Sequence, residues 1–153
     1  MKSLTSLVLI ISLLSACTPA PKPIEYGSDM CHYCKMTIMD KQHAAELVTD
    51  KGKVFPFDAI ECMIHYLGDT PDQAYALYLV NDYHQPGELV DAQTCHYLIS
   101  PALPSPMGAF LTAFEEEAAA RAMLEAKKGQ LYNWQSLQEH FYHKKVSSLT
   151  SNK

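Results

Sequence analysis

Residues 31–36, Cys-His-Tyr-Cys-Lys-Met, constrain this chain more than any other stretch of its sequence. Two thiols stand three residues apart, and the thioether of Met36 follows the second thiol by two residues. In an extended strand, residues two apart project from the same face, so a chain extended at Cys34 would place the Cys34 and Met36 sulfurs side by side. Cys31 and His32 would then lie in the preceding turn. The hexapeptide therefore predicts a cluster of soft donor atoms.

The chemistry of this cluster favours copper(I). Thiolates and thioethers bind soft metals, and copper(I) is the common biological ion that selects methionine sulfur. Zinc rarely accepts a thioether, so Met36 argues against a zinc knuckle. Two alternatives remain open, a redox-active Cys-x-x-Cys pair and a structural disulfide between Cys31 and Cys34. A redox pair usually opens a helix, whereas Met36 to Met39 are predicted to form a strand.

The N-terminus has the pattern of an export signal. A short basic start is followed by an apolar run too short to span a bilayer and by Leu14-Ser15-Ala16-Cys17. This ending matches the bacterial lipoprotein signal and predicts acylation of Cys17, which would anchor the chain in a lipid bilayer. The predicted division is a signal peptide at 1–16, a proline-rich tether at 17–25, a metal-binding domain at 26–146 and a disordered tail at 147–153.

Composition excludes one class of partner and leaves one structural alternative. Without Lys2, the mature chain has 11 basic and 17 acidic residues and no basic stripe, which argues against nucleic-acid binding. Its remaining cysteines are even in number, and an exported compartment permits disulfides, so a framework of two bridges is the main rival to metal binding. These cysteines are Cys31, Cys34, Cys62 and Cys95.

The hydrophobic pattern predicts an α+β fold with a mostly antiparallel sheet, in which strand-strand-strand-helix occurs twice. Asp58 is a plausible N-cap for the first helix, and Gly129 follows the clearest one, which is alanine-rich. Strands are predicted at 35–40, 43–50, 54–57, 74–82, 89–90 and 94–100 and around Leu131, and helices at 58–67, 115–128 and 134–143.

The other sulfur-containing and imidazole side chains receive mostly structural interpretations. Cys62 and Cys95 are predicted to be buried core thiols, because free cysteine is among the most buried residue types. Met107 differs, because it lies between Ser105-Pro106 and Gly108, in a rigid loop where core packing explains it poorly. Met30 and Met39 are expected to pack in the core, and four scattered histidines are expected at the surface, namely His43, His84, His140 and His143.

These residues together resemble the NosL family of copper chaperone lipoproteins, which are accessory to nitrous oxide reductase. The resemblance rests on the lipoprotein signal, on residues 29–38, on Val80-Asn81-Asp82-Tyr83 and on Ser105-Pro106-Met107-Gly108, and it spans nearly the whole mature chain. It implies a fold of two ββα-type modules, similar to a part of organomercurial lyase. Lys35 departs from the family pattern, since a glycine is often found at its position.

The resemblance also implies a function and a site. It implies copper(I) binding in the periplasm and delivery to nitrous oxide reductase through a membrane transporter complex, by a monomer or weak homodimer. Anchoring is expected in the outer membrane, because Thr18 is not the aspartate that retains some lipoproteins in the inner membrane. Cys62 and Cys95 lie outside the family pattern and are left out of the site. The implied copper ligands are Cys34, Met36, Met107, Cys31 and His32.

Two other classes of function compete with a chaperone. An enzyme, either a thiol-disulfide oxidoreductase or an organomercurial-lyase-like protein, would need a thiolate of lowered pKa at Cys31 or Cys34. The lyase would also need a positioned acid, for which Asp29 is the candidate. A structural lipoprotein with bridged cysteines would need neither. The chaperone is favoured because nothing else in the sequence indicates turnover.

Overall fold

A computed structural model describes residues 18–150, with side chains described through residue 143. This part of the chain has seven strands and three helices in two antiparallel sheets, which confirms the α+β prediction. The predicted signal peptide, Cys17 and residues 151–153 lie outside the described residues. In chain order, the elements are β1 Ala45–Val48, β2 Val54–Phe57, α1 Ile60–Asp69, β3 Leu77–Asp82, β4 Gln85–Asp91, β5 His96–Ile99, β6 Leu111–Phe114, α2 Glu117–Lys127, β7 Gln130–Tyr132 and α3 Trp134–Thr150.

The two sheets have the same strand order. β1 lies between β2 and β3 in the first sheet, and β5 lies between β6 and β7 in the second. Each module therefore runs strand, strand, helix, strand, so that the helix precedes the third strand rather than following it as predicted. Each antiparallel pair followed by a helix, β1-β2-α1 and β5-β6-α2, is a ββα unit. β4 extends the first sheet beyond β3.

The two modules share a hydrophobic core. Its buried members come from β1, β2 and α1 of the first module and from β5, β6 and α3 of the second. A backbone hydrogen bond from the Tyr83 amide to the Ala113 carbonyl, 3.0 Å long, also joins the end of β3 to β6. Residues 31–36 precede β1 of the first module, and Met107 lies in the loop between β5 and β6 of the second.

Helix α1 is amphipathic as predicted, but its start is built differently. Ile60, Met63, Ile64 and Leu67 are buried, and each such side chain contributes about 1.5–3 kcal/mol through burial. The N-cap position is Ala59, which provides no side-chain cap. The carboxylate of Asp58, predicted to cap the helix, accepts a hydrogen bond from the backbone amide of Met39. The start of α1 is thus fastened to the segment that precedes β1.

That preceding segment is not the strand predicted at 35–40. It makes one isolated antiparallel bridge, Met30 with Thr37, and its neighbouring backbone bond runs from the Ile38 amide to the Asp29 carbonyl. At the other end of the chain, α3 continues to Thr150, past its predicted end near 143 and into the predicted tail. Within the described residues, no helix is both long and apolar enough to cross a bilayer.

Candidate metal centre

Three cysteine sulfurs meet at the start of α1. The Sγ atoms of Cys31, Cys34 and Cys62 lie within 4.8 Å of one another. Cys31 and Cys62 are buried, and Cys34 is partly exposed. Cys62, which was predicted to stay out of the site, lies beside the two cysteines predicted to bind metal, because the turn that carries Cys31 and Cys34 packs against the helix that carries Cys62.

A closed turn holds Cys31 and Cys34 together. The Cys31 amide donates to the Met36 carbonyl at 2.8 Å, and the Lys35 amide donates back to the Cys31 carbonyl at 3.1 Å. Lys35 has a φ of 65°, in the left-handed region that glycine adopts most easily. The assumption of an extended chain at Cys34 is therefore wrong, and Cys34 and Met36 are not related as strand neighbours.

Contacts with β2 and α1 bring this turn to Cys62. The His32 amide donates to the carbonyl of Pro56 in β2 at 2.8 Å. The Tyr33 ring stacks on the ring of His65, with centroids 5.8 Å apart and planes 23° from parallel. Because His65 lies one helical turn after Cys62, this stack places the turn over the correct face of α1.

The cluster stabilises one thiolate. A hydrogen bond from the Cys62 thiol is the largest cause that lowers the pKa of Cys31, to about 4. Burial opposes this shift, and the backbone amides of Asp58, Cys34 and Tyr33 add to it by pointing at the Cys31 sulfur. A low pKa in a buried thiol therefore comes from donors that converge on its sulfur.

The other two thiols keep their protons more strongly. The hydrogen bond to Cys31 raises the pKa of Cys62 far above its ordinary value, and burial adds to that shift. Burial is the main cause that raises the pKa of Cys34, although the Met36 amide donates to its sulfur. The metal-free cluster at neutral pH thus carries one negative charge, and a cation that displaces the remaining protons would be held by three sulfurs.

His32 lies among aromatic rings. Its ring meets Phe55 edge-on at 4.7 Å and Tyr66 at 5.1 Å between centroids. Burial, followed by the charges of Lys35 and Lys53, lowers its pKa, so the imidazole is neutral at pH 7. Among the described residues, the group of mutually close donor atoms consists of the three cysteines and does not contain His32.

Met107 lies in a well-defined turn. The Gly108 amide donates to the Ser105 carbonyl at 3.0 Å, which closes a β-turn with Pro106 and Met107 at its two central positions. Proline favours the first of these positions, and Gly108 follows with a φ of 77°. Met107 is 43% exposed, so core packing does not explain it.

Three other methionines are also exposed. The exposed fraction is 58% for Met30, 57% for Met36 and 67% for Met39. The expectation that Met30 and Met39 pack in the core is therefore wrong, because the segment that carries them is a surface loop rather than a strand. Soft thioether donors consequently stand at the surface, in the same segment as Cys31 and Cys34.

Two buried residues stay apart from the cluster. Cys95 is a free, buried thiol whose pKa burial raises to about 12, as expected of a core cysteine. His43, expected at the surface, is buried, with its Nδ1 3.1 Å from the Asp40 carboxylate and its Nε2 3.4 Å from the Thr112 hydroxyl. His43 is followed by Ala44 and by β1, all of whose residues are buried, so the chain is already inside the protein at this point.

Comparison with known proteins gives a consistent result. The sequence profile of the NosL family matches residues 23–142. The copper-binding lipoprotein NosL of Stutzerimonas stutzeri is 26% identical over 122 residues, which cover 74% of this chain and 64% of that relative. The crystal structure of the copper chaperone NosL from Shewanella denitrificans superposes with a TM-score of 0.66 at 22% identity, over 76% of this chain and 93% of that one. This last likeness shows the fold.

Proposed function

Because the chain belongs to the NosL family, a family of copper chaperones rather than enzymes, we propose that it is a copper(I) chaperone that carries its ion at the cysteine cluster. The observation that supports this most directly is the convergence of three thiols within 4.8 Å. Copper(I) is held by two to four soft ligands, so three thiols, completed by one thioether, fit the ion in donor number and donor type. The ion is the cargo of this protein.

The proposed ligands fall into a buried and an exposed group. Cys31 and Cys62 would hold the ion away from water, and the partly exposed Cys34 would be the thiol through which it enters and leaves. Met36 and Met107 are the proposed thioether ligands, because both are exposed sulfur donors on segments held at the start of α1. Exposure suits transfer, since an incoming donor reaches the ion before an outgoing one leaves. His32 is proposed only on the family resemblance.

Anchoring and delivery belong to the same proposal. The related protein from Stutzerimonas stutzeri is named a lipoprotein, which supports acylation of Cys17 after removal of residues 1–16. We propose attachment to the periplasmic face of the envelope, in the outer membrane, and delivery of copper(I) to nitrous oxide reductase with its membrane transporter complex. Intact-mass measurement of the protein extracted from membranes, beside a Cys17→Ser variant, tests the anchor.

The geometry favours neither enzymatic alternative. An oxidoreductase attacks external disulfides with an accessible thiolate, but Cys31, the thiol of lowered pKa, has no exposed surface. The accessible thiol, Cys34, has a raised pKa. The carboxylate of Asp29, the candidate acid of a lyase, accepts the Glu25 amide at 2.9 Å and so caps its own turn.

The test is an anaerobic copper(I) titration of the reduced protein against a chromophoric competitor. The wild type should bind one ion tightly, and Cys34→Ser should lose most of that affinity. Cys95→Ser is the control, because it changes a free cysteine outside the cluster. Binding that is absent, or equal in all three proteins, would refute the proposed site.

A further inference from the structure

Glu61 is a buried carboxylate in the first turn of α1, next to Cys62 in the chain, and only 2% of it is exposed. Burial of an acidic side chain is costly, so a buried carboxylate usually has donors that compensate for the loss of water. The N-terminal end of a helix supplies part of this compensation through its dipole. The remaining donors come from the loop that carries Met107.

Two groups of that loop donate to the same oxygen of Glu61. The Ser105 hydroxyl donates to Oε1 at 2.5 Å, and the Ala109 amide donates to it at 3.3 Å. These donors flank the β-turn that presents Met107, one on each side. The Ser105 oxygen also accepts the Phe110 amide at 2.9 Å, so it links Glu61 to the path of the chain into β6.

Glu61 therefore anchors this loop to α1, at the residue that precedes Cys62 in the chain. The second oxygen of Glu61, Oε2, is buried without a hydrogen-bond partner among the described residues. An unpaired buried acceptor lowers the stability of the fold. The hydrogen bonds that the Glu61 carboxylate does accept come from the two sides of the loop that carries Met107.

We propose that Glu61 is a positioning residue that sets Met107 against the cysteine cluster, so that the thioether and the Cys62 thiol act on the same copper(I) ion. This inference rests on the proposed function, since it assigns a role within the same copper site. Hydrogen-bond partners that orient metal ligands typically change metal affinity 10- to 100-fold when they are removed. Loss of the Glu61 carboxylate should therefore weaken copper(I) binding by a factor in that range.

The experiment is a double-mutant cycle in the anaerobic copper(I) competition titration. Glu61→Ala removes the anchor, Met107→Leu removes the thioether at similar volume, and the double variant carries both changes. Glu61→Gln retains an oxygen acceptor for Ser105 and Ala109 and should restore binding to within about threefold of the wild type. Glu46→Ala is the matched control, because Glu46 is 1% exposed and accepts a backbone amide, that of Lys22, outside this loop.

The expected result is non-additivity. Glu61→Ala and Met107→Leu should each weaken binding about 10- to 100-fold, and the double variant should be no weaker than the weaker single variant. Glu46→Ala should bind as the wild type does. The inference is overturned if Glu61→Ala binds normally, if Met107→Leu binds normally, or if Glu61→Ala weakens binding equally in the Met107→Leu background. A wild type that binds no copper(I) refutes the proposed function itself, which separates the two failures.

Discussion

Replacement of Cys62 by serine isolates the contribution of the third thiol. The substitution removes a soft donor while leaving a hydroxyl that still donates a hydrogen bond to the Cys31 thiolate. Cys95→Ser provides a matched control, because both cysteines are buried, at 1% and 2% exposure, and both are free. Only Cys62 lies within 4.8 Å of the other two thiols.

The two serine variants should change stability alike but copper(I) affinity differently. Each serine places a hydroxyl where a buried thiol stood, so each should lower the free energy of unfolding by a similar amount, on the order of 1–3 kcal/mol. Copper(I) affinity should respond to Cys62 alone. Loss of one of three sulfur ligands should weaken binding at least about tenfold, which corresponds to about 1.4 kcal/mol.

The assay is the anaerobic copper(I) competition titration, accompanied by chemical denaturation of the metal-free proteins. Denaturation shows whether the two variants are equally destabilised, and the titration then compares their affinities at known folded fraction. Equal copper(I) affinities for Cys62→Ser and the wild type would refute the three-sulfur site. Equal losses in Cys62→Ser and Cys95→Ser would show that general destabilisation, not ligation, explains the effect.

Three further predictions concern exposure, backbone strain and pH. In the reduced, folded protein without its lipid cysteine, a bulky maleimide should label Cys34 alone, and bound copper(I) should protect Cys34 from labelling. Mass spectrometry of the labelled peptides checks this, and rapid labelling of a second cysteine would contradict it. Gly129→Ala should lower stability by at least about 2 kcal/mol, because φ is 131° and a Cβ would lie 2.3 Å from the Ile99 carbonyl oxygen. Gly52→Ala, with φ at 76° and open space, should cost less in the same thermal melts, and an equal loss would count against the steric argument. Burial raises the pKa of Glu46 to about 7 from an ordinary 4.5, so the folded protein retains this proton while the unfolded chain releases it. The free energy of unfolding should therefore fall as pH rises from 4.5 to 7. Glu46→Gln should reduce that fall by on the order of 2 kcal/mol, as measured by urea titrations up to pH 8, and an unchanged pH profile would contradict this.

The fold was largely predictable because its elements carry local signals. The hairpin of β1 and β2 follows from the turn at residues 50–53, where Gly52 adopts a positive φ. Helix α2 follows from an alanine-rich stretch closed at Gly129. The segment at 35–40 was not predictable in this way, because Met36-Thr37-Ile38-Met39 has strand-like composition but pairs at Thr37 alone. Its conformation is fixed by backbone hydrogen bonds to residues 27–31 and by the bond from the Met39 amide to Asp58, which is distant in sequence.

The site was predictable only in part, because one of its residues is brought in by contacts that are distant in sequence. The spacing of Cys31 and Cys34 is a local signal, and it identified two of the three clustered thiols. Cys62 carries no such signal, since it enters the cluster through the stacking of Tyr33 on His65, a contact between two segments some thirty residues apart. The one clue in the sequence was that Cys62 and His65 share a face of α1, which became meaningful only once the turn was placed there.

The most direct test of the account is the sulfur count around bound copper, from X-ray absorption of the copper(I)-loaded protein. We predict a first shell of sulfur atoms that includes three from cysteine, with one sulfur fewer in Cys62→Ser and no change in Cys95→Ser. A shell dominated by nitrogen or oxygen, or a sulfur count that is the same in Cys62→Ser and the wild type, would contradict binding at the cysteine cluster.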